Sequence, residues 1–138
     1  MNDEAVATGY DTELSAEQIA IRDLARDFAE REIRPVIMQF DESQEFPTEV
    51  FKKMAELGFL GIMVPAEYGG VGLGSIEASI IIEEISRVDP SIGLGVAAHN
   101  GLCSGHINKF ASDTLKQKFL PRLASGETMG AWGLTEPG

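Results

Sequence analysis

His99, Cys103 and His106 stand four and then three residues apart, so on an α-helix all three side chains lean toward one side, as metal ligands do. Three such ligands suffice for a catalytic zinc with water in the fourth position. The surroundings argue against it. The stretch is rich in glycine and apolar residues, and no second ligand pair such as Cys-x-x-Cys occurs. We therefore expect no metal, with Cys103 a packed thiol and the two imidazoles helix-packing groups. With both histidines on one predicted helix, no Ser-His-Asp or Cys-His-Asn arrangement for nucleophilic hydrolysis can be built. Glu83 and Glu84 are adjacent, so on a helix they point about 100 degrees apart and are expected to be surface charges rather than an acid–base pair.

Two glycine patterns also invite a chemical reading. Gly69-Gly70-Val71-Gly72-Leu73-Gly74 precedes an apolar helix, and helix N-termini attract anions. A dinucleotide fingerprint, however, needs a strand-helix-strand unit. The element after this helix reads as another helix, so a surface loop is expected. Gly93, Ala97, Gly101 and Gly105 recur every four residues along a predicted helix over residues 90–108. An interior glycine costs roughly 1 kcal/mol against alanine, so the stripe needs a reason: close helix packing, a face lining a ligand cavity, or both.

The elements that would position these residues are helical. Ser15 and Gln18 have the spacing of a capping box, and Ile21, Leu24, Ala25 and Phe28 follow at helical intervals. Pro35 should kink or break this helix before a short continuation through Val36, Ile37 and Phe40. After Phe46-Pro47-Thr48, the stripe Val50, Phe51, Met54, Ala55 predicts a second helix stopped by Gly58. A short apolar run from Phe59 to Val64 leads to Pro65 and the glycine loop. Ser75 should cap a buried helix carrying Ala78 to Ile82, Ile85 and Val88, and Asp89-Pro90 ends it and starts the next. Ser112 should cap a last helix with core stripe Leu115, Phe119, Leu120 and Leu123, distorted by Pro121 and ended near Gly126. The glycine-rich end, from Met129 to Gly138, reads as a strand running into a turn.

Composition bounds the rest. A 138-residue chain with 43% hydrophobic content buries one sizeable core. Its 22 acidic against 11 basic residues, a formal charge of −11, repel nucleic acid and anionic membrane surfaces. The single cysteine points to a reducing compartment. The first residues lack the features of a signal or transit peptide, and no apolar run reaches the ~20 residues of a membrane span. A soluble, cytoplasmic protein is expected, without membrane insertion.

Gly130-Ala-Trp-Gly-Leu-Thr-Glu-Pro-Gly138 resembles the first half of the acyl-CoA dehydrogenase signature. Gly61–Gly70, Ile82–Asp89, Ala98-His-Asn100 and Gln117–Glu127 resemble further segments of that family in its order, and together they cover nearly everything from Ser15 onward. The resemblance implies an all-α, up-and-down bundle of about five or six helices at residues 14–126. Residues 1–13, with Asp3, Glu4, Asp11 and Glu13 and no apolar periodicity, are themselves expected to be a mobile acidic tail, and the resemblance implies, at 127–138, the first strand of a middle β-domain otherwise absent from this chain. It further implies FAD as cofactor, an acyl-CoA thioester as substrate, an electron-transfer flavoprotein as electron acceptor and a homo-oligomeric complete enzyme. In relatives, the segment matching Trp132, Leu134 and Thr135 runs beside the isoalloxazine ring, and the helix matching Leu94, Gly95, Ala98 and Leu102 lines the acyl tunnel. The catalytic glutamate of the family lies in a carboxy-terminal domain, so no catalytic residue is expected here and this chain alone should not turn over. Rival readings are an acyl-CoA oxidase or flavin monooxygenase on the same scaffold, and a non-catalytic helical interaction module.

Overall fold

The computed structural model describes residues 13–137. Apart from residue 13, the expected acidic tail therefore lies outside the described residues. Among the described residues every regular element is helical: α1 (Ala16–Phe28), α2 (Ile37–Ser43), α3 (Thr48–Glu56), α4 (Ser75–Val88), α5 (Pro90–Ala97), α6 (Gly105–Phe110) and α7 (Asp113–Ala124). The helices expected from the apolar spacing form, and the all-α architecture that the resemblance implies is the one observed.

The capping box at Ser15 forms as its spacing predicts. The Gln18 amide donates to Ser15 Oγ at 3.2 Å, and the Ser15 amide donates to Gln18 Oε1 at 3.0 Å. The same Gln18 donates its side-chain amide to Glu77 at 2.8 Å. Glu77 in turn accepts from the Gly74 amide at 3.0 Å, which ties the starts of α1 and α4 together. The cap of α4 is therefore Gly74, one residue before the expected Ser75, and Glu77 reaches back to the Gly74 amide as the N3 residue of a capping box does.

The core is built where α1, α3, α4 and α5 meet. Ala25, Phe28, Val50, Phe51, Met54, Ile81, Ile85, Ile92 and Val96 are buried there. Leu24 belonged to the expected stripe but is 46% exposed, because α1 turns only its Ala25–Phe28 side inward. A second, smaller cluster joins Leu120 and Ala124 of α7 to Val64 and Tyr68. Only the second half of α7 contributes, so Leu115 and Phe119, also expected in the core, lie at the surface.

Two helices are interrupted by π-helical turns, at Ala29–Ile33 and at Ala98–Ser104. In the first, the Arg34 amide donates to the Ala29 carbonyl five residues back, just before Pro35 ends the helix. In the second, the Gly105 amide donates to the Asn100 carbonyl. The single helix expected over 90–108 is therefore α5, a π turn and α6 in continuous sequence. Gly93 and Gly101, two members of the small-residue stripe, face different surroundings. A Cβ on Gly93 would lie 1.9 Å from Ser86 Oγ and 3.0 Å from its Cα, so α5 packs on α4 there at a distance that only glycine permits. A Cβ on Gly101 would meet nothing within 4 Å.

No ladder forms at the end of the chain. Residues 128–137 carry no regular structure, and the expected strand is absent because strand geometry requires a hydrogen-bonding neighbour that no other element among the described residues supplies.

Candidate functional site

The stretch Phe59–Val64 has no helix or ladder, yet Phe59, Leu60, Ile62 and Val64 are buried. Buried backbone polar groups need partners, and two consecutive side chains of the π turn supply them. Asn100 is 1% exposed. Its Oδ1 accepts from the Ile62 amide at 3.0 Å, and its Nδ2 donates to the Phe59 carbonyl at 2.9 Å and the Val96 carbonyl at 3.1 Å. On the far side, the Val71 and Leu73 amides donate to the Gly61 and Ile62 carbonyls, so the glycine loop lies along this stretch. The loop passes so close that a Cβ on Gly70 would sit 2.0 Å from the Val64 carbonyl oxygen.

His99 has no exposure at all and gathers three separate pieces of backbone. Its Nε2 lies 3.0 Å from the Leu60 carbonyl and 3.1 Å from the Leu123 carbonyl near the end of α7. Its Nδ1 accepts from the Gly130 amide at 2.9 Å. Carbonyl oxygens only accept and an amide only donates, so the proton sits on Nε2, shared between two acceptors, and Nδ1 is bare. Burial pushes this imidazole below the ordinary histidine value, which keeps it neutral.

The other two members of the expected metal face meet the same departing segment. A Cβ on Gly130 would lie 2.5 Å from Cys103 Sγ, so the chain crosses directly over that sulfur. Burial pushes the Cys103 thiol up, opposed by a hydrogen bond from the Ala131 backbone, so this thiol is not an activated nucleophile. One turn further, the Trp132 ring stands edge-on to His106 with centroids 4.1 Å apart. His99, Cys103 and His106 do face one way, as their spacing predicts, and what they receive is the segment Gly130–Trp132. Both ring nitrogens of His99 are engaged by backbone, and the described residues contain no group of three metal-capable side chains.

Beyond Trp132 the segment is open. Leu134 is 78% exposed and Thr135 is exposed, and the backbone amides of Trp132, Leu134 and Thr135 make no hydrogen bond within the described residues. Along the helix before it, Leu94 and Leu102 are 69% and 47% exposed with Ala98 half-buried between them. Gly95 turns elsewhere. A Cβ on it would touch the Phe51 ring at 3.0 Å, and it borders a cleft of about 510 Å³ between α2, α3 and α5 that Ile37, Phe40, Phe46 and Asp89 also line.

Glu84 corrects a further expectation. Glu83 is exposed as predicted, but Glu84 is 5% exposed and accepts two hydrogen bonds from the Arg26 guanidinium at 2.7 and 3.0 Å and a third from Arg87 at 3.2 Å. These hydrogen bonds hold its carboxyl below the usual range against the cost of burial. Arg87 also bonds Glu30 at 2.6 Å, and Arg34 bonds Glu30 from the other side, so Glu30 is held down to about 2. The network runs from α1 to α4 and is structural; it lies apart from the Gly130–Thr135 segment.

Residues 15–127 match the family described as acyl-CoA dehydrogenase, N-terminal domain. The chain is 42% identical over 127 residues to the short-chain specific acyl-CoA dehydrogenase of Clostridium acetobutylicum, which covers 92% of this chain and 34% of that protein. Among solved structures it is similar to a Bacillus anthracis acyl-CoA dehydrogenase complexed with FAD, at 36% identity and TM-score 0.85 over 94% of this chain and 22% of that one. It is also similar to a chain from structural work on the electron transferring flavoprotein of Acidaminococcus fermentans, at 38% identity and TM-score 0.87 over 93% of this chain and 34% of that one. The chain spans about a third of the length of the curated relatives it matches. No helix among the described residues is long and apolar enough to cross a membrane.

Proposed function

This chain belongs to the acyl-CoA dehydrogenase family through that family's amino-terminal domain, and on this premise we propose that it serves an FAD-dependent oxidation of acyl-CoA thioesters to 2,3-enoyl thioesters. Two parts of the chain contribute. The side of the α5 and π-turn segment that carries Leu94, Ala98 and Leu102 forms wall for the acyl chain, whose burial contributes ~0.8 kcal/mol per methylene. Gly95 flanks that wall beside the Phe51 ring. The segment Trp132–Thr135 presents its backbone amides and the Thr135 hydroxyl to the pyrimidine edge of the flavin.

FAD held there would supply a hydride acceptor for the substrate β-carbon, with the Trp132–Thr135 segment as the part of this chain that holds its ring. Donors aimed at the ring edge stabilise the negative charge that it gains. The proton-abstracting base and the contacts to the adenine half come from outside these residues, and an electron-transfer flavoprotein takes the electrons onward from a homo-oligomeric enzyme. The observation that carries this reading is the contrast within one stretch of chain: Gly130 and Trp132 are fastened to the helical domain, while the next three residues expose unpaired donors. Solvent-facing donors that follow directly on an anchored stretch suit a planar acceptor edge.

The test is an enzyme that carries this chain as its amino-terminal domain. Yellow flavin absorbance retained through dialysis, bleached by an acyl-CoA under anaerobic conditions, supports the reading. A protein that folds but never retains flavin would refute it. Rapid reoxidation by air with hydrogen peroxide release would instead indicate the oxidase reading.

A further inference from the structure

His99 is spent on backbone that has nothing to do with its own helix. Its Nε2 proton is shared by carbonyls from the 59–64 stretch and from the end of α7, and its Nδ1 lone pair holds the Gly130 amide. Three non-contiguous segments thus meet on one rigid ring, and the one held by the lone pair is the segment leaving the domain. Trp132 is seated two residues later against His106. Two anchor points, at Gly130 and Trp132, define the line along which the backbone departs. An extended chain advances about 3.3–3.6 Å per residue, so Thr135 lies only three residues past the second anchor.

We propose that His99 is a positioning residue for the cofactor: as the neutral Nε2–H tautomer it sets, through Gly130, the place from which the Trp132–Thr135 donors meet the flavin edge. This rests on the functional reading above. A ring is suited to the task because a donor and an acceptor are held at a fixed separation, with no rotatable bond between them. A protonated ring would point a second N–H at the Gly130 N–H and lose that bond.

Three measurements test the proposal. In the wild-type chain, 15N histidine spectra should show the proton on Nε2 of His99; a proton on Nδ1 overturns the assignment without any variant. His99→Gln keeps a donor where Nε2 stands but removes the Nδ1 acceptor. His99→Asn places an acceptor oxygen where Nδ1 stands and removes the donor to Leu60 and Leu123. The Gln variant should exchange its Gly130 amide roughly tenfold faster, the effect of losing one hydrogen bond, and should make the flavin midpoint potential more negative in an enzyme carrying this chain. The Asn variant should restore both toward wild type. Wild-type exchange and potential in the folded Gln variant, or equal behaviour of the two variants, would overturn the proposal. If the enzyme binds no flavin while Gly130 exchange still responds to the Gln variant, the functional reading fails and the His99–Gly130 clamp stands.

Discussion

Substituting Gly130 by alanine tests whether the departing segment is docked as described. A Cβ there would sit 2.5 Å from Cys103 Sγ, 2.7 Å from Cys103 Cβ and 3.2 Å from Leu123 Cδ2. Optimal separation between non-bonded carbons is about 3.5–4.0 Å, so the segment must lift by roughly 1 Å. Lifting stretches the 2.9 Å bond from the Gly130 amide to His99 Nδ1 past useful range. Two costs compete. Holding the segment down against the clash would cost about 1–3 kcal/mol of overpacking, whereas releasing it loses one hydrogen bond, about 0.5–1.5 kcal/mol, plus the Trp132–His106 contact. The cheaper route limits the damage, so Gly130→Ala should destabilise by about 1–2 kcal/mol and release residues 130–132 while the bundle stays folded. Amide exchange by residue and urea unfolding followed by circular dichroism read both effects. Cys103→Gly removes Sγ and Cβ together, so the double variant should recover part of the Gly130→Ala loss beyond additivity. Unchanged protection at residues 130–132 together with an unchanged unfolding midpoint would refute the docking.

Three further outcomes follow from separate parts of the molecule. Glu84→Gln should cost about 1–3 kcal/mol in urea unfolding near neutral pH, since it weakens a buried hydrogen-bonded pair with Arg26. Because the folded Glu84 carboxyl is depressed, its contribution is complete above the ordinary carboxylate range and is lost as pH falls through the folded value, so the gap between wild type and Glu84→Gln should close in acid; a gap independent of pH would contradict the charge-based account. Gly93→Ala should destabilise by about 1–3 kcal/mol by forcing α5 off Ser86, whereas Gly101→Ala should leave thermal unfolding unchanged or raise its midpoint slightly. Equal effects at the two glycines would mean that the helix pairing is wrong. Thr135→Ala, in an enzyme carrying this chain, should weaken retention of the oxidised flavin by about 0.5–1.5 kcal/mol, the value of a hydrogen bond to a neutral group, and disfavour the charged reduced flavin by about 1.5–3 kcal/mol, with helical circular dichroism unchanged; wild-type flavin content after dialysis together with a wild-type reduction rate would remove Thr135 from the ring edge.

What could be read from the residues divides along physical lines. Helix positions followed from apolar spacing, the Ser15–Gln18 box and the prolines, because these are local signals and survive folding. The side-by-side placement of His99, Cys103 and His106 was also local, and correct. Their partner was not, since Gly130 lies far along the chain from His99 and a hydrogen bond of that separation leaves no periodic trace. The burial of Glu84 depends on Arg26, which a different helix brings to it, and so leaves no mark in the local spacing. The π turns are silent in the sequence for a related reason: apolar spacing reflects 3.6 residues per turn, and no residue type announces a wider one. His99-Asn100 is the one local trace of the buried cluster, being two adjacent polar residues in the middle of a mostly small and apolar helix.

The π turn at Ala98–Ser104 can be regarded as an α-helix carrying one residue too many. Deleting a residue within it would restore ordinary winding and rotate everything downstream by about 100 degrees relative to α5. His106 would then swing away from Trp132, although no residue touching either would have been replaced. The extra residue thus works as a phase shifter: it lets one continuous rod pack against α4 in its first half and aim its second half at the outgoing chain. Insertions and deletions in this short interval should therefore be far more disruptive than substitutions, and an engineered shortening of the helix would have to be made elsewhere.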